Sequence, residues 1–402
     1  MAQSPSDGMS LIAPQPGSDY YRAVMPTDIP DRALELRTEV TPEASVRVFL
    51  EEVDVPRPVG GQVLVRVEAA PINPSDLGLL LAGADPAQVR KEGTPERPVL
   101  TAPLRPEAFR AVGARVGLAM PAGNEGAGTV VAAGADAGSA ALVGRTVAVA
   151  GGSMYSQYRL AASGECLVLP DGTTARDGAS WFVNPMTVLG MIETMRAEGH
   201  SALVHTAAAS NLGQMLQRAC LEDGIPLVNV VRSEAQAAIL SGIGATHVAD
   251  SSRDDFMTSL TTAVTEASAT LGFDAIGGGP MANRILTAME LAASAGAPYS
   301  RYGSAVHKQV YLYGRLDRNP TELTREYGMA WGIGGWLLPN FLAKAGPETV
   351  TRMRDRVAAG LTTTFASSYT STVDLAGVLD PAALATYGRQ ATGQKYLVLP
   401  NG

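Results

Sequence analysis

Two stretches of this chain carry residue types that could do chemistry. The first is Ala207-Ala208-Ala209-Ser210-Asn211-Leu212-Gly213, a tight turn of small residues after a short apolar run, Ala202 to His205. Leu212, Met215, Leu216 and Ala219 then recur at helical spacing, Gly224 ends the helix, and Leu227 to Val231 reads as a second buried strand. A turn of this kind lets backbone N–H groups at a helix N-terminus approach a pyrophosphate. Of the glycines in the usual fingerprint only Gly213 is present, so the strand–turn–helix–strand context carries the argument. At the end of the second strand, where an NAD enzyme places an acid for the ribose hydroxyl, stand Arg232 and Ser233. A guanidinium there suits a 2′-phosphate and points to NADPH. The alternative is an ordinary crossover with a solvated arginine.

The second stretch is Ala70 to Leu77. Asn73 can cap a helix and Pro74 fits its first turn, so this segment has a complete structural reading without chemistry. Further along, Gly277-Gly278-Gly279 and Gly314-Arg315 follow apolar runs, at strand ends where such sheets bind ligands. Tyr155, in the Gly-rich stretch after Gly151-Gly152, is a candidate proton donor; its alternative is a packed aromatic with a surface hydroxyl. Glu125 reads as a residue that holds the glycine turn around it.

These residues need a frame. A chain of 402 residues, 46% hydrophobic and 17% charged, is globular and long enough for two domains. A net charge of −8 argues against nucleic acid and anionic membrane surfaces as partners. No apolar run reaches membrane-spanning length, and the first residues lack a signal-peptide pattern, so a cytoplasmic protein is expected. Cys166 and Cys220 are the only cysteines, too few for a four-cysteine zinc site. Residues 1–40 read as a polar lead-in with a helix or extended arm. Ser45 to Val53 and Gln62 to Ala69 alternate apolar and polar residues, the pattern of half-buried antiparallel strands. Residues 83–117 lack a strong period and read as a functional or mobile insertion. Beyond Pro170, helices alternate with short apolar strands at Ala202–His205, Leu227–Val231, His247–Ala249, Phe273–Ile276 and Val310–Tyr313, the rhythm of a doubly wound parallel sheet.

VLVRVEAAPINPSDL (63–77), MPAGNEGAGTVVAAG (120–134), VNPMTVLGM (183–191), NVVR (229–232), VYLYG (310–314) and GQKYLVLP (393–400) occur in this order around the Gly turn. On these motifs the chain resembles the zinc-free medium-chain dehydrogenase/reductases, in the quinone oxidoreductase and enoyl-thioester reductase branch, over most of residues 45–402. The resemblance implies a doubly wound parallel Rossmann sheet at 171–339 and a GroES-like β-barrel catalytic domain at 1–170 and 340–402. It implies Asn184 and Thr187 beside the nicotinamide half, and Ala209, Ser210, Asn211, Leu212 and Gly213 around the pyrophosphate. Arg232 and Ser233 would take the 2′-phosphate. Gly278, Tyr313, Gly314, Arg315, Leu316, Trp336, Leu338 and Lys395 would line the rest of the cofactor path, and Asn73 would face the active site. The family's proton-donating tyrosine is replaced here by Ala84. Relatives with a catalytic zinc need a cysteine near Asn73 and a histidine near Asn124; both are missing, so no metal is expected. Such relatives dimerise through a sheet edge, and Gln309 to Tyr313 is the candidate edge for a homodimer.

Without a metal, hydride delivery to an electrophilic conjugated system is easier than alcohol oxidation. The expected activity is therefore NADPH-dependent reduction of a small quinone or α,β-unsaturated carbonyl. Two alternatives stand beside it. One is reduction of an enoyl-CoA or enoyl-carrier-protein substrate, with Arg105, Arg110 and Arg115 as a basic entrance. The other is a non-catalytic NADPH-binding protein.

Overall fold

The computed structural model describes residues 29–402. Most of the expected lead-in, residues 1–28, lies outside the described residues. The remainder of it is not an arm: Arg32–Thr41 (β1) is a ten-residue strand paired antiparallel along its whole length with Ser45–Asp54 (β2). Its inward positions are Ala33, Leu36, Thr38 and Val40. Thr38 breaks the apolar alternation in the sequence, yet its hydroxyl is satisfied by a 3.0 Å hydrogen bond to the Leu80 carbonyl.

The strand Gln62–Pro71 (β3) leads into the helix Pro74–Leu81 (α1). The segment expected to be an insertion is regular structure. Arg90–Gly93 (β4) and Pro98–Pro103 (β5) form a hairpin that adds to β2, giving a five-stranded sheet in the order β4-β5-β2-β1-β6, where β6 is Met120–Pro121. Its period was hidden because β4, RKEG, is exposed along its whole length. Glu125–Ala133 (β7), Thr146–Ala150 (β8), Tyr158–Ala162 (β9) and Leu167–Val168 (β10) join β3 in a second sheet. Two strands from the far end of the chain complete that sheet: Ser371–Val373 and Tyr396–Val398, the latter antiparallel to β3.

The remaining sheet is parallel throughout. Helix Val183–Ala197 (α2) precedes Leu203–Thr206 (β11), Asn211–Asp223 (α3), Leu227–Val231 (β12), Glu234–Gly242 (α4) and His247–Asp250 (β13). Phe256–Ala267 (α5), Leu271–Asp274 (β14), Met281–Ser294 (α6), Lys308–Leu312 (β15) and Trp331–Gly335 (β16) follow. The strand order β13-β12-β11-β14-β15-β16 reverses direction between β11 and β14, so the switch point lies at the carboxyl ends of those two strands.

Two expectations need correction. β15 is not an edge: β16 pairs with it in parallel and closes that side of the sheet. The WGIGG sequence of β16 hid the strand because glycine weakens any strand pattern. β14 begins two residues earlier than expected, since Gly272 interrupts its apolar run. Leu338–Ala345 (α7) and Pro347–Ala359 (α8) place Leu338, Met353 and Val357 in one core with Met186, Leu203 and Leu216. Among the described residues no helix is long and apolar enough to cross a membrane.

Candidate active site

The turn after β11 starts with a non-glycine residue in the left-handed region, Ala207, at φ 52°. Ser210 then caps α3, its hydroxyl accepting a 3.1 Å hydrogen bond from Gly213 N–H. That cap leaves the Asn211 and Leu212 N–H groups at the helix N-terminus without intrahelical acceptors. Gly213 is required here: a Cβ would stand 2.1 Å from the Ala208 carbonyl oxygen. The start of α3 is thus packed directly against the backbone of the turn at Ala208.

A buried pair that the sequence did not signal fixes the switch point. Thr206, ending β11, donates a 2.7 Å hydrogen bond to Asp274, ending β14, and accepts one from Ala275 N–H at 2.8 Å. Asp274 also accepts from the N–H groups of Ile276 and Gly277. Burial pushes its carboxyl pKa up while these donors oppose the shift.

At the end of β12, Arg232 is exposed and its N–H donates to Gln236 Oε1 at 3.1 Å. Ser233 caps α4 through a 3.3 Å bond from Gln236 N–H. Among the described residues no carboxylate pairs with the Arg232 guanidinium, which stands beside the N-terminus of α4.

Asn73 sits across the crevice, 1% exposed. Its backbone N–H donates to Asp76 Oδ2 at 2.8 Å, and its Nδ2 donates to Glu125 Oε1 at 2.7 Å. The other Glu125 oxygen accepts from the N–H groups of Phe182 and Val183, at 2.7 and 3.0 Å, at the start of α2. Asn184 follows, also buried. Asn73 Oδ1 has no hydrogen-bond partner, an orphaned buried acceptor. Asp76 accepts a second bond from Asn124 N–H, and burial, with Glu125 adding to it, pushes its pKa up to about 7. Lys395, partly buried, donates from Nζ to Ser180 Oγ at 2.8 Å. Burial pulls the Lys395 pKa down to about 8, against the raising influence of Glu125 and Asp76.

The structure places the other expected site residues as follows. Tyr155 is fully buried and its hydroxyl donates to the Pro71 carbonyl at 2.9 Å. Leu338 is core, and the Trp336 indole is packed among Phe273, Phe341 and Gly190 with Nε1 donating to Thr194. Gly278 is pressed against the chain itself: a Cβ would meet Asn319 O at 2.5 Å. Thr187 bonds its own helix at the Val183 carbonyl. Tyr313 at the end of β15 reaches His205 Nε2 at 2.7 Å, and burial drives that imidazole pKa down to about 3, so it is neutral. Arg315 and Leu316 are exposed beyond Gly314. Arg115 turns inward, donating to Leu79 O at 2.9 Å and to Thr38 Oγ1 at 3.2 Å, and Arg105 pairs with Glu107. Among the described residues no group of three or more His, Cys, Asp or Glu side chains could hold a metal ion.

No family model and no curated protein matches the chain. Solved structures do match it. A provisionally named NADPH:quinone reductase from Mesorhizobium loti has 26% identity and a TM-score of 0.68, covering 93% of this chain and 100% of its own. A second provisionally named NADPH:quinone reductase, from Bacillus thuringiensis, has 18% identity and a TM-score of 0.67, with 92% and 99% coverage. The CurK enoyl reductase has 13% identity and a TM-score of 0.64, with the same coverage of 92% and 99%. With its parallel sheet and switch-point crevice, the chain is similar in fold to the quinone reductases and enoyl reductases of the medium-chain dehydrogenase/reductase superfamily.

Proposed function

We propose that this protein is an NADPH-dependent, zinc-independent reductase of quinones or α,β-unsaturated carbonyls. The observation that carries the reading is the exposed Arg232 guanidinium at the carboxyl end of β12, one strand from the Gly213 turn. The residues fit the dinucleotide. The Asn211 and Leu212 N–H groups and the α3 dipole suit a pyrophosphate, and Arg232 with Ser233 suits the additional phosphate. Orphaned Asn73 Oδ1 suits a donor on the ligand. Bound NADPH supplies a hydride for an electron-poor conjugated carbon.

The zinc-independent part is supported by the donor set: Asn73 and Asn124 stand where zinc relatives carry cysteine and histidine. The antiparallel sheets around β3 support the GroES-like reading of the other half. A small substrate is favoured over a carrier-bound thioester by the inward turn of Arg115, which removes one cation from the expected basic entrance.

The test is NADPH oxidation by the purified chain against a panel of quinones, enones and enoyl-CoAs. Turnover of the first two classes with NADPH preferred to NADH is expected. Preference for the enoyl-CoAs would reassign the substrate, and NADPH binding without turnover on any of them would make the protein a non-catalytic binder.

A further inference from the structure

Ser180 lies at the centre of a polar chain that the reading above leaves unused. It is 2% exposed, and its Oγ is 2.8 Å from Tyr369 Oη and 2.8 Å from Lys395 Nζ. Lys395 Nζ also stands 5.6 Å from the centre of the Tyr369 ring, and the Arg176 guanidinium 5.3 Å from it. The segment bearing Tyr369 runs along the crevice. At one end Ser367 Oγ accepts from Asn211 Nδ2 at 3.0 Å, at the start of α3; at the other, Thr370 N–H donates to the Lys395 carbonyl at 2.9 Å.

We propose that Tyr369 is the general acid that protonates the substrate oxygen, with Ser180 and Lys395 as the relay that restores its proton. This rests on the reductase reading given above. The donor inventory fixes the Lys395 end of the chain. An ammonium only donates, so Ser180 Oγ accepts from Lys395. Ser180 can pass its own proton to Tyr369 Oη once the phenol has given its proton to an acceptor outside the chain. That acceptor is the carbonyl oxygen of a conjugated substrate.

The step balances. A hydride forms the new C–H bond at the β-carbon, and the π electrons shift to oxygen. The Tyr369 O–H bond breaks as the oxygen takes its proton, giving the enol. Tyr369 recovers a proton from Ser180, Ser180 from Lys395, and Lys395 from water. Two cations, Arg176 and Lys395, stand over the Tyr369 ring, and the Arg176 charge opposes the burial and the Glu125 charge that push the phenol's pKa up. The charged and titratable groups facing Lys395 are Glu125 from β7, Asp76 from α1 and Tyr369 from the crevice segment. Their field sets the pH at which the relay discharges.

The test uses the full chain, NADPH and an enone or quinone that it turns over. Tyr369→Phe is expected to lower kcat by about 100-fold or more, the size of a lost general acid, with the NADPH dissociation constant unchanged. Lys395→Met is expected to abolish the fall of wild-type kcat above about pH 8. Ser180→Ala breaks the chain while leaving both ends in place, and carries the test if Tyr369→Phe melts early; it is expected to lower kcat and flatten the same alkaline limb. A Tyr369→Phe enzyme within about twofold of wild-type kcat, with NADPH bound normally, overturns the relay and leaves the reductase reading intact. Loss of NADPH binding in that variant also overturns it, making Tyr369 a cofactor contact. Absence of turnover by the wild type, with NADPH bound, overturns both.

Discussion

Glu125 and Asn73 are joined by a 2.7 Å hydrogen bond from Asn73 Nδ2 to Glu125 Oε1, while the second carboxylate oxygen holds the first turn of α2. One fully buried side chain therefore ties the antiparallel half to the parallel half. Burial pushes its pKa up, but three N–H donors favour the ionised form. Removing it in Glu125→Ala leaves those donors unpaired, and a loss of about 3 kcal/mol in unfolding free energy is expected. Glu125→Gln retains an acceptor for α2, and a loss of about 1 kcal/mol is expected. Equilibrium urea unfolding of the two variants checks the difference.

Arg232→Ala is expected to weaken NADPH binding by about 10- to 100-fold, the range of a lost charge-assisted phosphate contact, with NADH binding unchanged. Titration of both cofactors measures it. Equal weakening of both would mean that Arg232 does not discriminate the 2′-phosphate.

Gly213→Ala places a methyl 2.1 Å from the Ala208 carbonyl oxygen, so the turn must open. A stability loss of about 1–3 kcal/mol, the usual cost of forced overpacking, is expected together with loss of NADPH affinity. Thermal melting with and without NADPH separates the two effects: the melting shift produced by NADPH should shrink in the variant.

Asp76 makes a pH prediction. Its pKa is raised from 3.8 to about 7, by burial first, with Glu125 adding to the rise. A raised carboxyl contributes stability that is fully present below pH 3.8 and lost as pH rises through about 7. Asp76→Asn removes that titration, so the difference in urea midpoint between variant and wild type should move in the variant's favour from pH 4.5 to pH 8. A constant difference across that range would show that the carboxyl is already ionised at the lower pH.

The parallel half was legible in the sequence because each of its strands is a short apolar run between helices, as in Leu227–Val231. Legibility failed where glycine or polar residues broke the run: Gly272 in β14, the glycines of β16 and the exposed β4. The turn at Ser210–Gly213 and the exposed Arg232 stand at the ends of the expected strands, since local spacing alone sets them there. The burial of Tyr155 was not legible, because the Pro71 carbonyl that receives its hydroxyl is 84 residues away. The Ser180–Tyr369–Lys395 chain carried no local signal at all: Ser180 and Lys395 are separated by 215 residues and meet only in the fold. The Thr206–Asp274 staple escaped for the same reason.

The four residues from Ser367 to Thr370 are anchored at both ends, to Asn211 beside the nucleotide turn and to Lys395 beside the antiparallel sheet. A strap so short cannot lengthen without breaking one of those bonds. Asn211 and Lys395 are therefore tethered to each other, and neither can move far from the other without releasing its end of the strap.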